Sequence, residues 1–138
     1  MTVFYTFGDY ERALAEAIVE ILASVGVEAE PVAGALPADL PDKTVQVVAL
    51  GGPMENPGVG RPSVGVHCRA LSEGDADLLG KATCGALSAL DSSQIDGEHA
   101  TIVGVTPQNL PYPNPDPRNE NYFRVSQTAT LIVKARPL

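Results

Sequence analysis

The sequence predicts an α+β fold, two helices on one face of a largely antiparallel four-stranded sheet in the order α-β-β-α-β-β. Apolar residues recur at helical spacing in 9–26 and again in 72–91. Residues alternate between apolar and polar in 63–71 and 121–137, and no helical period separates the strand-like runs 44–52 and 63–71. At 138 residues the chain reads as one domain, 1–138, long enough to bury roughly two-thirds of its extended surface. With 44% hydrophobic and 19% charged residues it has the composition of a folded chain.

The first helix starts at Asp9, an N-cap residue, with Glu11 in the first turn and Gly26 where a left-handed residue would close it. Tyr10, Leu14, Ala17, Ile18, Ile21, Leu22 and Val25 form its stripe. Residues 28–43 carry three prolines and read as a connecting segment that touches the sheet only through Val32, Leu36 and Leu40. TVQVVALGG (44–52) is β-branched and stopped by Gly51, Gly52 and Pro53, which predicts a buried strand. SVGVHCRAL (63–71) puts Val64, Val66, Cys68 and Ala70 on one face, and Ser63, Gly65, His67 and Arg69 on a wet one. The short helix-free connection makes these two strands antiparallel neighbours joined by an extended hairpin.

Ser72, followed by Glu73 and Asp75, opens the second helix, whose stripe Ala76, Leu79, Thr83, Ala86, Leu87 and Leu90 runs to about Asp91. Gly80 and Gly85 inside it each cost about 1 kcal/mol relative to Ala, so both are read as close-packing positions. Turn residues Ser92, Ser93 and Asp96-Gly97 precede a short strand, ATIVGVTP (100–107). The loop QNLPYPNPDPRNE follows, and its four prolines argue against ladder pairing there. The last segment alternates throughout, with Phe123, Val125, Gln127, Ala129, Leu131 and Val133 on one face and Tyr122, Arg124, Ser126, Thr128, Thr130 and Lys134 on the other. The second face of the sheet is thus left for solvent or a partner.

Charge narrows the function. The 17 acidic and 9 basic residues give net charge −8, which disfavours free-standing nucleic-acid binding. Residues 99–138, with 2 acidic and 4 basic residues, are locally positive. No run approaches the roughly 18 apolar residues of a membrane span, and the start MTVFYTFGDYER has no signal-peptide pattern, so synthesis in the cytoplasm and no membrane partner are the expectation.

No catalytic constellation stands out. His67 and Cys68 are adjacent on a strand and point to opposite faces, Cys68 and Cys84 read as reduced core thiols, and no metal-spaced cluster occurs. Glu73, Asp75 and Asp77 suit a helix N-terminus, and Gly51-Gly52 and Gly58-Val59-Gly60 lack a phosphate-binding frame. Catalytic, cofactor and metal residues are therefore each expected to be none, and an enzyme is not indicated. Arg118, Arg124, Lys134 and Arg136 read as a solvated strand face or as contacts to an acidic partner. The two long connections, 51–62 and 107–120, favour contact with other chains.

Three segments carry a resemblance: the first helix leading into "LPADLPDKTVQVVALGG"; "RPSVGVHCRALSEGDADLLGKATCGALSAL"; and "PYPNPDPRNENYFRVSQTATLIVKA". Over most of its length the chain resembles tail terminators, also called minor capsid or tail completion proteins, of long-tailed bacteriophages. The resemblance implies a virion protein of the head-proximal tail end, made in the host cytoplasm. It would form a ring, six-membered in the family, that stops tail-tube polymerisation and joins the head. The implied partners are other copies of itself, the tail tube protein and a head-completion or connector protein, with DNA only passing through the lumen. The resemblance makes Arg61 and Arg118, on the two long connections, candidate assembly contacts, together with Tyr122 and Arg124. The internal glycines of helix 2 and the eight-residue lead before helix 1 depart from the pattern.

Other readings stay open at this point. Another neck subunit, such as a head-completion or connector protein, would also form rings. A small α/β ligand-binding module would have to use His67, Arg69 and Cys84, and a peptide adaptor would use a sheet edge.

Overall fold

The computed structural model describes residues 3–91 and 93–138. In chain order the elements are β1 (Tyr5–Thr6), α1 (Tyr10–Ser24), β2 (Glu30–Ala33), β3 (Thr44–Gly51), β4 (Met54–Asn56), β5 (Val59–Gly60), β6 (Ser63–Ala70), α2 (Glu73–Ala89), β7 (Ile95–Asp96), β8 (Thr101–Pro107), β9 (Tyr112–Pro113), β10 (Phe123–Lys134) and β11 (Arg136–Pro137). The α+β class and both helices agree with the sequence. The sheet, however, has nine strands rather than four, and a separate two-stranded ribbon pairs β1 with β11.

Residues 28–43 contain β2, which pairs in parallel with β3 and buries Val32. A proline-rich composition hides this strand, yet an edge position tolerates Pro31, whose missing N–H costs no ladder bond there. The 51–62 hairpin folds into β4 and β5, and β5 continues along β10. Within the proline loop, β9 pairs Pro113 with Val125 and Tyr112 with Ser126 of β10, contrary to the expected absence of pairing. The turn residue Ser92 lies outside the described residues.

β3, β6 and β10 are antiparallel neighbours in register, and β8 lies along the other edge of β10. Val45 and Val47 of β3, Val64, Val66 and Cys68 of β6, and Ala129, Leu131 and Val133 of β10 form the core with Leu14, Ile18 and Leu22 of α1 and Leu79 and Leu87 of α2. Each of these larger side chains contributes about 1.5–3 kcal/mol on burial.

Asp9 caps α1 by accepting the Arg12 N–H at 3.1 Å. Gly26, at φ +81, lets the chain turn so that the Val27 N–H reaches the Leu22 carbonyl at 2.9 Å. Val25, assigned to the apolar stripe, is exposed because it falls in this closing turn. In α2, Ser72 caps the Asp75 N–H at 3.2 Å. Gly80 lies against β10, where a Cβ would meet Val125 Cγ1 at 2.5 Å. Gly85 is exposed and a Cβ there would meet nothing within 4 Å, so it is not a packing position.

Candidate functional site

The second face of the central strands is not left open, because two irregular segments fold over it. From one side comes the link 34–43: Ala35 and Leu36 lie beside Gln46 and Val48, and the Tyr122 hydroxyl donates to the Leu40 carbonyl at 2.9 Å. From the other side comes 113–119, anchored by β9. Between the two lies a polar cluster drawn from three adjacent strands, because Gln46, His67, Arg69, Arg124 and Ser126 occupy the same pleat face of β3, β6 and β10.

Arg69 is the centre of this cluster, with its side chain 2% exposed. Its guanidinium donates to Gln46 Oε1 at 2.6 Å and to Asp116 Oδ2 at 3.1 Å, while Nε has no partner. Gln46 in turn donates to the Gly34 carbonyl. A continuous chain of hydrogen bonds therefore runs from the link, across β3 and β6, to the proline loop. A buried guanidinium without a counter-charge is costly, so Asp116 is the residue that makes Arg69 tolerable.

Asp116 is held from several directions. Its carboxylate accepts the Arg118 backbone N–H at 3.0 Å and the Asn119 amide at 3.1 Å, and it lies 3.6 Å from Arg124. Burial pushes its pKa upward, but these bonds, the Arg69 bond and the Arg124 charge outweigh it and bring the pKa down to about 2. Desolvation lowers the Arg69 pKa, and the Asp116 hydrogen bond opposes that shift. Arg124 grips the same loop by donating to the Asn114 carbonyl at 2.6 Å and the Pro115 carbonyl at 3.4 Å.

His67 Nδ1 and Ser126 Oγ are 2.7 Å apart, and Asn114 Nδ2 donates to the same Oγ at 3.0 Å. Burial, then the charges of Arg124 and Arg69, lower the His67 pKa to about 4, so its ring is neutral at pH 7. The arrangement fits Ser126 donating to Nδ1 with the ring proton on Nε2. Ser126 is 1% exposed, so its oxygen is closed to a substrate. On the core side, Cys68 donates to the Thr83 hydroxyl at 3.3 Å, and burial pushes its thiol up to about 12.

The loop 113–119 divides two concavities. One, about 830 Å³, is flanked by Glu73, Ala76 and Asp77 of α2, by prolines 113, 115 and 117, and by Glu120, Tyr122 and Phe123. The other, about 540 Å³, is lined by Arg69, Arg118, Arg124, Asn119, His67 and Gln46. Among the described residues no group of three or more His, Cys, Asp or Glu side chains is placed to hold a metal ion, and no helix is long and apolar enough to cross a membrane.

Of the four residues singled out from the sequence, Arg118, Tyr122 and Arg124 surround the proline loop. Tyr122 and Arg124 spend their polar groups within the subunit, and Arg118 is exposed. Arg61 lies apart, on the 51–62 hairpin, paired with Glu55 at 2.7 Å. Arg69, expected on a wet face, is buried because the proline loop covers it. The Asp116 anchor was not anticipated, and the available signal was that residues 99–138 hold just two carboxylates, Asp116 and Glu120, among four cations.

No protein-family model and no curated protein matches the chain. Among solved structures, the fold is similar to a chain from the virion of a native gene transfer agent particle. The TM-score is 0.55 at 13% identity, and the match covers 92% of each chain.

Proposed function

We propose that this chain is a structural subunit of a virion and, within that class, a tail terminator. In this reading six copies form a ring on the head-proximal end of the tail tube. The ring stops tube growth and presents the surface that a head-completion or connector protein meets, with DNA passing through its lumen and no reaction catalysed. The fold likeness to a virion chain over 92% of both lengths carries the virion-subunit part of the proposal. The bacteriophage resemblance of the sequence points the same way. The use of the charged residues supports it too, since Arg69, Asp116 and Arg124 spend their polar groups fastening the proline loop to the sheet. A net charge of −8 per copy suits a lumen that passes DNA without retaining it.

Electron microscopy of the protein mixed with tail tubes tests the reading. A six-fold ring on one tube end, with tube growth halted, is expected. Protein that decorates neither tube end refutes it, and density on the head side of the joint, away from the tube, transfers the chain to the connector class.

A further inference from the structure

The long strand β10 separates two unlike exposed apolar surfaces. Its Phe123 and Lys134 ends are about 35 Å apart at strand rise. At the Phe123 end lies the groove of about 830 Å³ beside α2, where Phe123 is 47% exposed. Its rim carries Glu73 and Glu120, neither of which makes an ion pair among the described residues. At the Lys134 end the chain leaves the main sheet through β11 and forms the small ribbon with β1, closed by the Leu138 N–H donating to the Phe4 carbonyl at 2.8 Å. This ribbon projects apolar side chains into water: Phe4 is 67% and Leu138 89% exposed. Lys134 at the adjoining end of β10 and Arg136 of the ribbon make no ion pair among the described residues, and Arg136 donates to the Gly97 carbonyl.

We propose that copies of this chain join head to tail through these two surfaces, the β1/β11 ribbon of one copy seating in the groove beside Phe123 of the next. The proposal rests on the ring reading above and names its interface. One surface is concave and acid-rimmed, the other is projecting and carries cations. Glu73 and Glu120 of the first are opposite in sign to Lys134 and Arg136 of the second, and one surface is hollow where the other projects. A two-fold contact would need a self-complementary patch, whereas unlike patches on opposite ends produce a heterologous contact, the kind that closes into rings. The outer edge strand β2 is a poor alternative route to self-association, since Pro31 removes a donor and Glu28 and Glu30 flank it with like charge. Exposed apolar side chains at both ends are what a docking contact buries.

Two substitutions at exposed positions separate the surfaces. Phe4→Asp disables the ribbon and leaves the groove intact, and Phe123→Lys does the reverse. Circular dichroism and melting establish that both variants fold. In sedimentation velocity, each variant alone is expected to lose self-association by at least about tenfold relative to the native chain. An equimolar mixture retains one competent ribbon and one competent groove, so it is expected to stop at a one-to-one dimer.

A mixture that stays monomeric, or either variant assembling like the native chain, overturns the proposal. So does a native chain that remains monomeric at millimolar concentration both with and without tail tubes. The two readings fail separately. If both variants still form rings on tube ends, the interface is wrong and the terminator reading stands. If the native chain assembles through these surfaces but ignores tubes, the interface stands and the terminator reading falls.

Discussion

Asp116→Asn removes the counter-charge of a guanidinium that is 2% exposed, and its cost can be worked from the cluster. The asparagine still accepts a hydrogen bond, but Arg69 and Arg124 then share the site with no carboxylate. Removing one partner of a fully buried pair costs about 3–5 kcal/mol. Here the proline loop can lift and hydrate Arg69, which caps the loss, so about 2–3 kcal/mol is expected. For a chain of 138 residues that corresponds to a fall in Tm of about 7–10 °C. The pH dependence gives a second estimate. The folded pKa of Asp116, about 2, lies below its ordinary 3.8, so its contribution is fully present above pH 3.8 and is lost as pH falls toward 2. The shift is worth about 2 kcal/mol at most, and nearer 1 after screening on the loop's open side. Urea unfolding at pH 7 and pH 3 measures both effects, and limited proteolysis within 107–120 distinguishes loop lifting from global unfolding. A variant within about 0.5 kcal/mol of the native chain at pH 7, with unchanged loop proteolysis, would refute the assignment of Asp116 as the anchor.

Two glycines in one helix should respond in opposite directions. Gly80→Ala, whose Cβ would meet Val125 Cγ1 at 2.5 Å, is expected to destabilise by about 1–3 kcal/mol in denaturant melts, while Gly85→Ala at an open, exposed position gains about 0.5–1 kcal/mol. His67, with its pKa lowered to about 4 against an ordinary 6.5, stays neutral in the fold while the unfolded chain takes up a proton. Stability should therefore fall as pH drops from 6.5 to 4, and His67→Gln should flatten that slope in pH-dependent melts. In native thiol labelling, Cys68, with its thiol buried and its pKa near 12, should react only on unfolding; reaction at the rate of a free thiol would show that the core opens without unfolding.

What could be read from the sequence was whatever repeats over a short window. The α1 stripe as far as Leu22, the Ser72 cap and the alternation along 123–134 are local patterns, and each appears where its period placed it. What escaped depends on contacts between distant residues. β2 is a strand only because β3 offers a parallel edge, and neither Pro31 nor Glu30 announces it. The polar alternation of β6 was correct as a pattern, yet polar did not mean wet: Arg69 is buried because Asp116, 47 positions later, comes back over it. The two internal glycines of α2 are equivalent in sequence and opposite in environment, since only Gly80 faces β10.

The burial of Arg69 also limits how much of the polar sheet face is open to another chain. A sheet with one bare polar face would offer that face to a neighbour. In this chain the link 34–43 and the loop 113–119 occupy much of it, and Tyr122 and Arg124 are committed to holding them. Among the described residues, the large apolar side chains left in water include Phe4, Tyr5 and Leu138 on the ribbon at one end of β10, and Tyr112 and Phe123 toward the other. The interior network thus covers much of that face, and the ribbon and the Phe123 groove lie beyond it at the two ends of β10. In the proposed head-to-tail contact the two surfaces lie at opposite ends of β10, so the length of that strand sets their spacing around the ring.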